Sequence, residues 1–116
     1  MRTIVAQSPH PSPLVVIEVA SRVCGVPASD IALGARIGPP RRDVTRARRI
    51  AVLVSRNPAP KVQVPFVALG AFFRGDGPAL SKIGAEADNK ILDDPEFARD
   101  VARVREILRT EWGRDA

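Results

Sequence analysis

The sequence predicts an all-α fold, a compact multi-helix domain that holds a helix-turn-helix and carries one added helix at its C-terminus. Three observations predict it. Apolar residues recur at i, i+3, i+4 and i+7 in several separate stretches. Pro and Gly stand between those stretches, at the positions where helices begin and end. The one alternating run, Lys61 to Val64, is cut by Pro65, so no strand pattern competes.

The 116 residues suit one domain with one core, and 45% hydrophobic residues are too many for a disordered chain. Aromatics are only 4% and Tyr is absent, so the core must be Val, Ile, Leu and Ala with four Phe and Trp112. Residues 1–11 contain Ser8-Pro9-His10-Pro11 without periodicity and are expected to form a flexible lead. The helix-turn-helix domain is expected over 12–92, and a C-terminal amphipathic helix over 93–116, packing on the domain or extending it.

Each element has its own signals. Ser12 as N-cap and Pro13 at the first helical position open a helix striped by Val16, Val19, Ala20 and Val23, which Gly25 ends. A short second helix runs from Val26-Pro27 to about Leu33. Gly34, Gly38 and Pro39-Pro40 forbid its continuation, which makes 34–42 a stiff basic loop. Asp43 is expected to cap a third helix, Val44 to about Arg56, with Ala47, Ile50, Ala51 and Val54 facing the core. After Asn57-Pro58-Ala59-Pro60, a short apolar helix is expected over 64–73, then a tight turn at 74–77. Pro78 begins the next helix, with Leu80, Ile83, Gly84, Ala87 and Ile91 buried. A short apolar helix, a glycine turn and an amphipathic helix form a helix-turn-helix pattern. Asp94-Pro95-Glu96 starts the last helix, striped by Phe97, Val101, Val104 and Leu108, with Trp112 extending the stripe. That stripe either closes the core or meets a partner, including a second copy of the chain.

The placement of charge points to a polyanion. Residues 36–56 hold seven arginines (36, 41, 42, 46, 48, 49 and 56) and one acid, Asp43; that window carries +6 and the rest of the chain −1. A solvated surface run usually mixes its signs. A one-sign arginine cluster in a balanced chain suits nucleic acid. On the third helix Arg42, Arg46, Arg49 and Arg56 fall within about 80° of each other, opposite the apolar stripe, so an arginine ridge is expected there, flanked by Arg48.

Other chemistries lack their residues. Cys24 is the one cysteine and falls on an apolar helical face, so no disulfide or thiolate zinc cluster is expected and the thiol reads as inert. His10 has no partner ligands around it. No cofactor is therefore expected. The carboxylate pairs Asp93-Asp94 and Glu86-Asp88 lie at helix ends, where caps and solvated acids are ordinary, and no nucleophile–base pair can be assembled, so no enzyme is expected. Arg74-Gly75-Asp76 spells an adhesion tripeptide by chance. There is no signal-peptide pattern and no run of 18 apolar residues, so a cytoplasmic protein without a membrane partner is expected.

Three stretches resemble the C-terminal DNA-binding domain of the bacterial replication initiator DnaA, one of the Trp-repressor-like helix-turn-helix domains. They are Val16-Ile17-Glu18-Val19-Ala20 running to Gly25-Val26-Pro27-Ala28-Ser29-Asp30-Ile31; Thr45-Arg46-Ala47-Arg48-Arg49-Ile50-Ala51; and Leu69-Gly70-Ala71-Phe72-Phe73-Arg74-Gly75-Asp76. The resemblance covers about residues 13–92 and implies double-stranded DNA as the partner. It implies a minor-groove contact from Arg41 or Arg42 in the basic loop, and phosphate and nearby base contacts from Arg46, Arg48 and Arg49. The family begins its recognition helix with an Asp-His-Thr-Thr box. Here the matching run is Asp76-Gly77-Pro78-Ala79, which keeps only the Asp. Ala79 offers a methyl contact, Ser81 and Lys82 offer hydrogen bonds to base or phosphate, and Glu86 would repel phosphate unless it faced a cytosine amine. The chain is therefore expected to read another sequence than the initiator's box, or to bind through backbone and minor groove. It has no Gly-Lys-Ser/Thr phosphate loop, so no nucleotide partner is expected.

Two functions follow. One is a DNA-binding regulator of transcription or replication, associated with the nucleoid, with DNA contacts from Arg41, Arg42, Arg46, Arg48, Arg49, Asp76, Pro78, Ala79, Ser81 and Lys82. The other is a protein-interaction module on the same fold, docking through the helix at 95–112.

Overall fold

Every other helix packs against α3 (Arg42–Arg56), which runs through the middle of the molecule. The structure, a computed structural model, describes residues 10–34 and 41–115, with side chains through Glu111. Around α3 stand α1 (Pro13–Cys24), α2 (Ala28–Leu33), α4 (Phe66–Leu69), α5 (Gly77–Asp93) and α6 (Pro95–Asp115). No strand occurs among the described residues. The fold is thus the multi-helix all-α domain that the periodicity predicts. Residues 1–9 of the lead expected over 1–11, the loop residues 35–40 with Arg36, and the Trp112 side chain lie outside the described residues and side chains.

The stripes expected from the sequence face the core, with Val23, Ile83 and Ile91 only partly buried. Val16, Val19 and Ala20 of α1, Ala47, Ile50, Ala51 and Val54 of α3, Leu80 and Ala87 of α5, and Phe97, Val101, Val104 and Leu108 of α6 form one core with Phe73 and Leu69. Each large side chain buried there contributes about 1.5–3 kcal/mol relative to exposure. The α6 stripe is core, so α6 closes the domain against α1, α3 and α5. Phe97, Val101, Val104 and Leu108 are thereby enclosed within the domain.

The helix ends follow the sequence signals with some differences. Ser12 stands at the N-cap of α1, but its carbonyl, not its side chain, accepts from Val15 and Val16. Gly25 follows α1 with φ 69°. α3 starts at Arg42, one residue before the expected cap: Asp43 lies in the first turn, where its carboxylate takes Arg41 and the amide of Val44. α5 is capped as its sequence suggests, Asp76 Oδ1 accepting from Ala79 N at 3.0 Å. Asp94 Oδ1 does the same for α6, accepting from the amides of Glu96 and Phe97.

The helix expected over 64–73 is confined to Phe66–Leu69. Beyond it the chain makes tight turns (Phe72 N and Phe73 N both donate to the Leu69 carbonyl), and Arg74 N then donates to the Ala32 carbonyl of α2 at 2.8 Å. That tertiary bond takes the chain off a helical path, while the turn still brings Phe73 into the core at 1% exposure. α4 lies close on α5 because position 84 is glycine. A Cβ there would come within 2.9 Å of Phe66 Cζ. Phe66 is in turn covered by Arg56, whose guanidinium stands 4.3 Å from the ring centroid.

Candidate nucleic-acid interface

Two neighbouring features could meet a nucleic acid: the exposed start of α5, and a cationic pocket beside its far end. The start of α5 is shaped by the turn before it. Gly75 takes φ 131°, a conformation that side chains disfavour, and a Cβ there would also touch Ala79 and Leu80. Asp76 then caps the helix, and Pro78, Ala79, Ser81 and Lys82 stand exposed on its first two turns. Asp76 is therefore occupied as a cap, which accounts for its presence without a base contact.

The arginines of α3 are not the open ridge that the periodicity suggests. Arg46 Nη1 lies 2.7 Å from Asp100 Oδ2 of α6, and its guanidinium covers Phe97, 5.6 Å from the ring centroid. Arg49 pairs with Glu86 of α5 at 3.3 Å. Arg56 donates to the Val64 carbonyl and covers Phe66. Arg48 reaches the other way: Nη1 donates to the carbonyls of Ile31 and Ala32 at 2.8 and 2.9 Å, and Nη2 to the carbonyl of Arg74 at 3.1 Å. Burial, and then the positive charge of Arg74, pull the Arg48 guanidinium below its ordinary pKa. The physical reason is the central position of α3. A helix with neighbours packed around most of it leaves little free face, so its long side chains bridge to those neighbours.

Two of the expected contact arginines remain at the surface. Arg41 is exposed but carries a bidentate contact to Asp43, with Asp30 3.7 Å away. These partners raise its pKa, the hydrogen bond to Asp43 most of all. Arg42 is exposed and has no hydrogen bond or ion pair among the described residues.

Arg41, Arg42, Arg46 and Arg49 do come together in another way. They line a pocket of about 580 Å³ with Lys90 of α5. Thr45, Asp94 and Phe97 complete its walls. Arg49 pairs with Glu86 while Arg42 and Thr45 face the same space as Lys90, so α3 and α5 run in opposite senses here. Lys90 and Thr45 are the residues that sequence reasoning missed. The spacing of Arg42, Thr45 and Arg49 at i, i+3 and i+7 was a signal for one shared helical face; Lys90 has none, because only tertiary packing brings it there.

A second cavity, about 760 Å³, lies between the 57–61 segment and α6, with walls from Val54, Pro58, Pro60 and Leu108. Its Arg105 is held by the Asn57 carbonyl at 2.6 Å. Among the described residues no group of His, Cys, Asp and Glu could hold a metal ion, and no helix is long and apolar enough to cross a membrane.

The chain matches no protein-family model, no curated protein and no solved structure.

Proposed function

We propose that this protein binds double-stranded DNA and acts as a regulator of transcription or replication, associated with the nucleoid, with the start of α5 in the major groove. The observation that carries the proposal is the exposed first two turns of α5. They present Pro78, Ala79, Ser81 and Lys82 beyond a glycine turn and a capping Asp. A helix N-terminus after a tight turn, with small side chains and one cation, can approach base edges closely. The turn is braced from behind by Arg48 and by the Arg74 amide, so the helix is held at a fixed angle to α2. The +5 net charge adds the attraction to phosphate that any duplex binder needs.

In this proposal Ser81 and Lys82 are the base- or phosphate-contacting side chains and Ala79 a methyl contact. Arg41 and Arg42 reach the backbone or minor groove. Arg46, Arg48 and Arg49 act chiefly by holding the helices, since carboxylates and carbonyls already occupy them. Docking of a protein partner on the α6 stripe is disfavoured, because Phe97, Val101, Val104 and Leu108 are each at most 4% exposed.

Chemical probing of a duplex selected from a random pool tests the proposal. Protection of guanine N7 on binding is the expected result, because N7 lines the major groove. Binding without any N7 protection would remove α5 from the groove.

A further inference from the structure

The pocket between α3, α5 and α6 gathers cations from two helices. Its five lining cations face one lining carboxylate, Asp94. That carboxylate is engaged through Oδ1 with the amides of Glu96 and Phe97. Three of the cations have carboxylates of their own: Arg41 has Asp43, Arg46 has Asp100 and Arg49 has Glu86. Two have no ion pair among the described residues, Arg42 and Lys90, and they come from different helices. Between them on α3 stands Thr45, whose hydroxyl both donates and accepts.

These donors suit a tetrahedral oxyanion. A guanidinium offers a planar fork, an ammonium offers a point charge, and the hydroxyl supplies a further single donor. A flat carboxylate has only two oxygens to share among them. The position also fits a duplex. Lys82, on the exposed start of α5, lies eight residues before Lys90, about 12 Å along the helix axis. That is about the width of the major groove, so a helix whose start faces bases would bring its other end to the backbone.

We propose that this pocket seats one phosphate group, supplied by the backbone of the bound duplex, with Arg42, Lys90 and Thr45 as its donors. The proposal rests on the duplex-binding function and names one contact within it. It adds Thr45 and Lys90 to the interface and leaves Arg49 paired with Glu86.

The test has two arms on the full chain. In the first, inorganic phosphate is titrated against sodium chloride of equal ionic strength while backbone and arginine Nε–H resonances are followed. Expected are phosphate-specific shifts centred on Arg42, Thr45 and Lys90, abolished in Arg42→Gln/Lys90→Gln. In the second, duplex affinity is measured against salt for wild type and Lys90→Gln. One lost phosphate contact is expected to lower the magnitude of the log–log slope by about 0.9. Shifts that merely follow ionic strength, with an unchanged slope in Lys90→Gln while wild type binds DNA, would overturn the pocket and leave the duplex function standing. Local phosphate shifts in a protein that binds no duplex would make free phosphate the ligand and overturn the assignment to DNA.

Discussion

Arg48 Nη2 donates to the carbonyl of Arg74 at 3.1 Å, across 26 residues of chain. The same guanidinium, through Nη1, holds the carbonyls of Ile31 and Ala32 at the end of α2. One side chain thus joins the central helix, the end of α2 and the turn that precedes α5. The angle at which α5 leaves the domain depends on it.

Replacing Arg48 by Met keeps much of the side-chain volume and removes the donors. The three carbonyls lose a charged partner, and the expected cost is about 1–3 kcal/mol, read from urea denaturation. Hydrogen exchange at the Arg74 amide, which donates to Ala32, should speed up more than exchange in the middle of α3. Arg48→Lys should recover little, because one ammonium cannot fork to both sites. Unchanged stability and unchanged Arg74 exchange would refute the bracing role.

Asp76 separates a structural role from a recognition role. Asp76→Ala removes the bond to the Ala79 amide and should cost about 1 kcal/mol. Asp76→Asn caps comparably and should be near neutral in stability. A thermal melt of the two variants decides it: equal losses would mean that the charge, not the cap, matters.

The pair of Arg46 and Asp100 binds α3 to α6, with about a quarter to a third of each side chain exposed. A double-mutant cycle with Arg46→Met and Asp100→Asn should give a coupling of about 1 kcal/mol, above the usual level for fully exposed pairs. The cycle reads this pair apart from the Phe97 contact, which Arg46→Met removes in both backgrounds. Zero coupling would mean that apolar burial, with no help from the ion pair, holds the two helices.

Asp43 gives stability a dependence on acid pH. Its hydrogen bond with Arg41, helped by the Val44 amide, holds its carboxyl below the ordinary value of 3.8, although burial opposes the shift. A carboxyl with a depressed folded-state pKa favours folding once pH exceeds the unfolded value. That contribution is lost as pH falls from there through the folded value. The wild-type protein should therefore lose stability below about pH 4 more steeply than Asp43→Asn. Parallel acid profiles for the two proteins would show that the ion pair contributes nothing in solution.

The helices were legible because local signals agree with tertiary need. Pro13, Gly25, Asp76 and Asp94-Pro95 mark ends that the structure keeps, and every α6 stripe residue through Leu108 is buried. The arginine cluster was legible as charge but not as partners. Sequence spacing puts Arg46 and Arg49 opposite the stripe, yet it cannot show that α6 and α5 cover that side with Asp100 and Glu86. The helix expected over 64–73 shortened for a similar reason, since the Ala32 carbonyl competes for the Arg74 amide from 42 residues away. Lys90 escaped notice because a lone lysine late in a helix gains meaning only from the neighbour packed beside it.

The most direct measurement is fluorescence anisotropy of a labelled duplex across a range of salt concentrations, with wild type and Arg42→Gln/Lys82→Gln compared. Both substituted residues are exposed and free of ion pairs among the described residues, so folding should be untouched. Expected is tight binding at low salt with a steep loss as salt rises, and a slope shallower by up to about 2 in the double variant. No binding by the wild type even at low salt would contradict the DNA-binding function.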